Sequence, residues 1–408
     1  MRQIITFLGL YPRETTYSFK GKTYKGEVFA EALRQFCEYD SMLVCVTNEA
    51  KKRSFTVLEK LEDTRIKAID IPTGATTEEM WETFKIITEQ VNENDHVIFD
   101  ITHGLRSLPF LVFLFAAYLK AAKNVTIGAI YYGALELGNF KTDLPAPVID
   151  LSEFVSMIDW LTATDQFIKT GNGQYLANLL LNGNIASQEL ASGIDSISQG
   201  LQLLRPMDVL EKSALLPKLI AQAVPTVSQS ELPFITLLTR LEKDYGKFGL
   251  INPTDYIIKP QASLLRQLEI VKWYAQKGQI VQALSMAREW LPSLLCYYFN
   301  IDPQIERPNR NEMELLLNGG IGQKDAQGNR YTSSYLEQYK ASISQEKRTQ
   351  LSNLWSNSYK LANLRNDVLH AGFRKNPQSA EYIIEQTKQI VEELGNIANA
   401  WNLKDEEE

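Results

Sequence analysis

The sequence predicts an α/β domain with a mostly parallel sheet, followed by an all-α remainder. Three observations lead there. Short apolar runs alternate with helical periodicity through residues 1–150. The alternation breaks in a loop near Asn139–Pro147 that holds Pro145 and Pro147. From Glu153 onward the pattern is helical almost to the end.

Taken in order, Ile4–Gly9 reads as a strand. Gly26–Tyr39 places Val28, Phe29, Ala32, Leu33 and Phe36 at helical spacing. Met42–Thr47 is a short apolar run suited to a buried strand, Ala50–Leu61 a helix and Ile66–Ile71 a strand. Thr76–Asn92 reads as a helix with Thr77 and Glu78 in its first turn, and His96–Asp100 as another buried strand. Leu105–Lys123 is apolar nearly all round, which predicts a buried helix, and Val125–Gly133 is the next strand. Helices should then cover both faces of the sheet, with ligands beyond the carboxyl ends of the strands.

The middle, about 183–260, fits no recognisable motif. Pro206, Pro217, Pro225, Pro233, Pro253 and Pro260 are expected to divide it into short helices. Ser263–Leu291 reads as one or two helices with a break at Gly278. Asn300–Thr332, rich in Asn and Gly, reads as a loop or poorly ordered insertion. Leu336–Leu369 holds one or two helices, Ala380–Trp401 forms the last, and the LKDEEE tail frays. The expected domains are 1–150, a helical linker or insertion at 151–260, and a helical domain at 261–402.

Composition narrows the function classes. A hydrophobic fraction of 44% and a charged fraction of 22% over 408 residues exclude a disordered or collagen-like chain, and the length suits two to three domains of roughly 150 residues each. The 42 basic and 49 acidic side chains leave a net charge of −7, so overall charge does not hold nucleic acid and any such contact needs local basic patches. Cys37, Cys45 and Cys296 form neither a disulfide framework nor a zinc site and suggest a reducing compartment. With only His96, His103 and His370, a multi-histidine metal site is not expected. The apolar start Ile4–Tyr11 is short for a signal core and lacks a small-residue cleavage site. The longest apolar stretch, Leu108–Leu119, falls below the ~18 residues of a spanning helix. A soluble, cytoplasmic protein without membrane association is expected.

Two segments carry chemistry. The first, FDITHGLRSLP at Phe99–Pro109, joins a strand end to a helix start. Gly104 lets backbone approach a ligand, and Pro109 suits the first helical turn. The free N–H groups there favour an anion. Thr102 and His103 add side-chain donors, and Arg106 a guanidinium fork suited to phosphate. Two further strand ends feed the same edge: Gly9–Tyr17, with Thr15, Thr16 and Tyr17, and Thr47–Asn48, which could bond a base or ribose. A phosphate or nucleotide site follows. A purely structural role stands beside it, in which Thr102, His103 and Arg106 cap a helix and pair with Asp100.

The second, NLRNDVLHAGF at Asn363–Phe373, ends a helix near His370 or Ala371, with Gly372 as the stop. Asn366 and His370 share a face, and Arg365 reaches the same edge. An imidazole, an amide and a guanidinium can cleave RNA without metal. Attack of a 2′-hydroxyl on its phosphate needs a proton acceptor, a proton donor and positive charge on the phosphorane. The alternative is a surface histidine, with Arg365 paired to Asp367 or a neighbour.

Together these segments resemble a known family. FDITHGLRSLP looks like the signature loop of CARF domains, the Rossmann-like sensors of CRISPR systems. RNDVLHAGF looks like the R-x4-6-H motif of HEPN ribonucleases, and the order, sensor first, also matches. The chain is thus similar to the CARF–HEPN ancillary ribonucleases of type III CRISPR systems over roughly 1–150 and 260–400. The resemblance implies a Rossmann-like sensor followed by an all-α HEPN domain, and a cyclic oligoadenylate as allosteric activator, cyclic tetra-adenylate being the commonest. It implies single-stranded RNA as substrate and a homodimer or higher homo-oligomer, with no catalytic cofactor or metal. Thr102, His103, Gly104, Leu105 and Arg106 would hold ring phosphates and riboses, and Gly9, Thr16, Thr47 and Asn48 would line the adenine side. Arg365, Asn366 and His370 from two protomers would form one composite site, leaving 2′,3′-cyclic phosphate and 5′-hydroxyl ends. A local basic groove would come from Arg365, Arg374 and Lys375, with Arg307 and Arg310 if their loop folds over. A ring nuclease and a CARF-type transcription regulator remain the alternatives. The regulator needs a basic recognition helix, of which the sequence offers no sign outside the unplaced middle.

Overall fold

The apolar runs become the strands β1 (Arg2–Phe7), β4 (Ser41–Val46), β5 (Ile66–Asp70), β6 (His96–Asp100) and β7 (Thr126–Gly133), with β2 (Thr15–Phe19), β3 (Lys22–Gly26) and β8 (Ala146–Asp150) added to them. The structure, a computed structural model, describes residues 1–103, 108–138, 144–181, 185–224, 232–255, 259–324 and 330–405. The chain groups into two units, Met1–Asp159 and Trp160–Glu408.

In the first unit the eight strands run β3-β2-β8-β7-β6-β1-β4-β5. The stretch from β7 to β5 is parallel, as the β/α alternation predicts, and β8 joins β7 antiparallel. Successive side chains point to opposite faces, so both faces need apolar residues. Ile4, Val44 and Ile98 enter one core with Phe29 and Leu33 of α1 (Phe29–Phe36). Their neighbours Ile5, Cys45 and Phe99 enter another with Ile87 of α4 (Thr77–Gln90) and Val112 and Phe115 of α5 (Leu108–Lys123). After β4 come α2 (Asn48–Ala50), a π-turn at Lys51–Phe55 and α3 (Thr56–Glu59).

Two expectations for this unit are corrected. Thr15, Thr16 and Tyr17, expected to feed the ligand edge after the first strand, belong instead to the β-hairpin Thr15–Gly26. Lys20 and Gly21 both adopt positive φ, the requirement of a tight hairpin turn, and Tyr17 is fully buried. Helix α5 is not buried all round. Leu108, Val112, Phe115, Ala116 and Leu119 face the sheet, while Phe110, Leu114 and Tyr118 are exposed.

The second unit is helical: α6 (Ser152–Thr170, beginning in the first unit), α7 (Gln174–Leu181), α8 (Ile185–Gln202), α9 (Pro206–Ala223), α10 (Leu232–Tyr245), α11 (Pro260–Gln276), α12 (Ile280–Tyr298), α13 (Asn311–Leu317), α14 (Leu336–Ser342), α15 (Gln345–Trp355), α16 (Leu361–Leu369) and α17 (Ala380–Ala400). One apolar core joins Phe167, Leu190, Tyr245, Trp273, Trp290, Trp355 and Leu394. The helices on either side of residue 260 therefore share one packed body. The stretch expected as a linker is part of it.

Gly278 breaks the pattern between α11 and α12 with φ +71°, where a left-handed residue is needed. Pro217 does not break its helix; it lies inside α9. Within 300–332 the chain is not merely a loop. It holds α13, whose Met313, Leu316 and Leu317 are buried, and a hairpin of β9 (Ile321–Lys324) and β10 (Arg330–Thr332). The buried Glu312 carboxylate fixes the return from this hairpin, accepting from Ser333 Oγ at 2.6 Å and Ser334 N–H at 2.9 Å.

Candidate functional site

In the first unit the chain after β1 runs to β2, on the β6 side of the sheet, while the chain after β4 runs to β5 on the other side, so loops diverge at the carboxyl ends of these strands. Such a switch point leaves a crevice. A cleft of about 670 Å3 lies there, walled by Leu8, Gly9 and Tyr11 after β1, Thr47 and Asn48 after β4, Ile71 and Thr73 after β5, and His103 after β6. Leu108, which opens α5, completes the rim. The Gly9 carbonyl is fixed by the Ser54 hydroxyl, which donates to it at 2.6 Å. Thr47 caps α2, its hydroxyl accepting from Ala50 N–H at 3.3 Å. Its side chain serves cap and cleft together.

The strand β6 ends in a polar knot. Asp100 is fully buried and accepts from the Thr6 hydroxyl at 2.6 Å and Thr102 N–H at 2.8 Å. Burial pushes its carboxyl up to about 6, and the bonds from Thr102 and Thr6 pull against that shift. The Thr102 hydroxyl oxygen accepts from Gly133 N–H at 2.8 Å, joining β6 to β7. His103 Nε2 accepts from Phe29 N–H at 3.2 Å, at the start of α1. Burial holds this imidazole neutral by lowering its pKa to about 4. With Nε2 an acceptor, Nδ1 carries the proton.

Among the residues expected to bind ligand, the structure brings Gly9, Thr47, Asn48 and His103 to one cleft. Thr102 is turned into the sheet instead. Thr16 does not line the cleft, because β8, β7 and β6 separate its strand from β1. Gly104, Leu105 and Arg106 lie outside the described residues. The structural alternative holds in part: Thr102 binds Asp100, and His103 caps α1 rather than α5. The sequence reading missed Tyr11 and Ile71–Thr73, although the carboxyl-edge rule applied to the strand at Ile66–Ile71 points to the latter.

In the second unit the motif closes α16. His370 is its C-cap and is exposed. Ala371 N–H donates to Val368 O and Gly372 N–H to Asp367 O, each at 3.0 Å, and both residues adopt positive φ. This double closure is a Schellman turn. With Ala371 directly after the cap, the helix stops one residue earlier than it would if Gly372 held that place, and so presents His370 at the tip. Arg365 is half-buried, donates to Asn366 Oδ1 at 3.1 Å, and has a buried Nε without a partner among the described residues. It does not pair with Asp367. That buried carboxylate accepts from Gln378 N–H at 2.9 Å and faces Arg374 at 3.6 Å. Arg310 does not fold over the site; its guanidinium is held by Glu289 and Ser293. Among the described residues, no cluster of His, Cys, Asp or Glu could hold a metal ion, and no helix is long and apolar enough to cross a membrane.

Comparison with known proteins adds what neither motif supplied. Residues 156–253 match the family model described as the second domain of CRISPR-associated protein MJ1674. This covers most of the stretch that the sequence reading could not place. The curated CRISPR-associated protein MJ1674 of Methanocaldococcus jannaschii is 31% identical over 160 residues, covering 35% of this chain and 24% of the relative. The chain thus spans about a quarter of that relative's length. A solved structure, Enterococcus italicus Csm6 bound to cyclic hexa-2′-fluoro-hexa-dAMP, aligns with 13% identity and a TM-score of 0.38 over 100% of this chain and 96% of that one. The matched family model and the curated relative are both CRISPR-associated by description, which agrees with the resemblance to CRISPR ancillary proteins at that coarse level.

Proposed function

We propose that the chain is an ancillary ribonuclease of type III CRISPR defence, acting in the cytoplasm and switched on by a cyclic oligoadenylate. The observation that best supports this is the pairing, in one chain, of the strand-end cleft with an exposed helix-end histidine. The cleft offers apolar faces (Leu8, Tyr11, Ile71) for adenine and polar groups (Thr47, Asn48, His103) for base and ribose edges. At the helix end, His370 would transfer protons, Arg365 would stabilise charge on the phosphorane and Asn366 would orient the phosphate. Two protomers would contribute to one composite site, and a ring activator with its own symmetry suits a homodimer or higher homo-oligomer. Activation requires that the ring bind the active arrangement more tightly than the inactive one.

The test is cleavage of labelled single-stranded RNA by the purified chain, with and without cyclic tetra- and hexa-adenylate, in chelator. Ring-dependent cleavage that survives chelation and leaves 2′,3′-cyclic phosphate and 5′-hydroxyl ends is expected. RNA left intact at every ring size overturns the reading. Loss of the ring itself would then indicate a ring nuclease, and duplex DNA binding without cleavage a regulator.

A further inference from the structure

Beside the helix-end motif lies a second concavity, of about 240 Å3, between α16 and the segment leading to α17. Lys360, Arg374 and Lys375 line it, with Tyr359 and Tyr382 as aromatic walls. Among the described residues of the lining the one carboxylate is Asp367, which is buried and turned to Gln378 N–H and Arg374. Arg374 is held in place by a bond from its Nη1 to the Asn363 carbonyl at 3.2 Å. Among the described residues, neither Lys360 nor Lys375 has an ion-pair partner. In a chain of net charge −7 this is a local excess of positive charge around a hollow. Lys360 in its wall adopts positive φ, so the surrounding fold holds the backbone there in a shape that a lysine does not favour. Asn363 lies seven residues before His370, two turns down the same helix face and about 10 Å along the axis.

From this arrangement we propose that the concavity is a nucleotide subsite, holding one residue of single-stranded RNA upstream or downstream of the bond that His370 cuts. Lys360, Arg374 and Lys375 take the phosphate charge, and a base splayed from the strand stacks on the exposed Tyr382. A duplex keeps its bases stacked inside and cannot use the aromatic wall. The inference rests on the nuclease reading of His370.

The test separates the two. Cleavage is measured first for the full chain and for His370→Ala. Binding of a labelled single strand and of its duplex to uncut His370→Ala protein is then followed by fluorescence anisotropy across a salt series. Adding Lys360→Ala and Lys375→Ala should weaken single-strand binding about tenfold or more and flatten the log–log salt slope by roughly 0.7 for each phosphate no longer neutralised. Tyr382→Leu should weaken it about fivefold to a hundredfold with the slope unchanged, and Tyr382→Phe should restore it. Wild-type affinity and slope in the lysine variant, or equal affinity for the duplex, would overturn the subsite while leaving the nuclease reading intact. Undiminished cleavage by His370→Ala would overturn the nuclease reading and the subsite's placement with it.

Discussion

The cleft of the first unit and the helix end of the second are assembled in opposite ways. The cleft draws Gly9, Thr47, Ile71 and His103 from four strand ends far apart in sequence, and sheet order alone brings them together. The helix end takes Arg365, Asn366 and His370 from consecutive turns of one element. Polar groups in the cleft region are heavily committed: Thr102 to Gly133, His103 to α1, Asp100 to Thr6. His370 is exposed, and Arg365 donates to its neighbour Asn366. A site made of many elements is stabilised by the same bonds that build the fold. A site on one helix end leaves its chemistry facing outward.

The sharpest way to break this comparison is to remove the imidazole. His370→Ala should lower ring-activated RNA cleavage by about 10²- to 10⁴-fold, the usual range for a lost general acid–base, while equilibrium binding of the ring stays within about twofold. Parallel loss of ring binding would mean that the two regions are not separable.

A second experiment concerns the committed groups, through pH. Burial raises Asp100 from its ordinary 3.8 to about 6, so the folded state keeps a proton that the unfolded chain has lost. The stability this confers is present below pH 4 and is lost as pH rises through 6, a change of roughly 3 kcal/mol. His103, lowered from 6.5 to about 4, acts in the opposite direction. Its contribution is present above pH 6.5 and is lost as pH falls through 4. The two oppose each other over the same window. Relative to wild type, Asp100→Asn should lose stability as pH is lowered from 6.5 to 4.5, and His103→Gln should gain it, by urea unfolding at each pH. Slopes of the same sign in both variants would show that the two groups do not titrate as their surroundings imply.

The smallest expected effect concerns the rim. Asn48→Ala should weaken ring binding about tenfold, the loss of one or two hydrogen bonds, with RNA cleavage at saturating ring unchanged. Unaltered ring affinity would move the ligand away from the end of β4.

Legibility followed the same division. The geometry of the helix end could be read almost whole, since an i, i+4 pair and a stop signal are local features. The exception was the stop itself, where Ala371 as well as Gly372 takes the left-handed conformation. The cleft could be read only in part. Thr16 follows the first strand in sequence, but Lys20–Gly21 turns that segment into a hairpin which the sheet places four positions away from β1. The hairpin had a signal, alternating Thr, Tyr and Phe around a Lys-Gly turn, weaker than an Asn-Gly pair would have been. The apolar circumference of Leu105–Lys123 pointed to full burial, yet a helix on an open sheet has only one face to bury, and Phe110, Leu114 and Tyr118 stay exposed.

By itself the sequence determined the parallel core strands of the sheet, most of the helices and the helix end that presents His370, because periodicity and capping act within a few residues of chain. The tertiary structure alone decided which strand ends meet, which face of α5 is covered, and that Thr102 and His103 spend hydrogen-bonding capacity on Gly133 and Phe29. Those outcomes depend on pairing between segments tens of residues apart, where the partner of a polar group is set by strand order rather than by its neighbours in the chain.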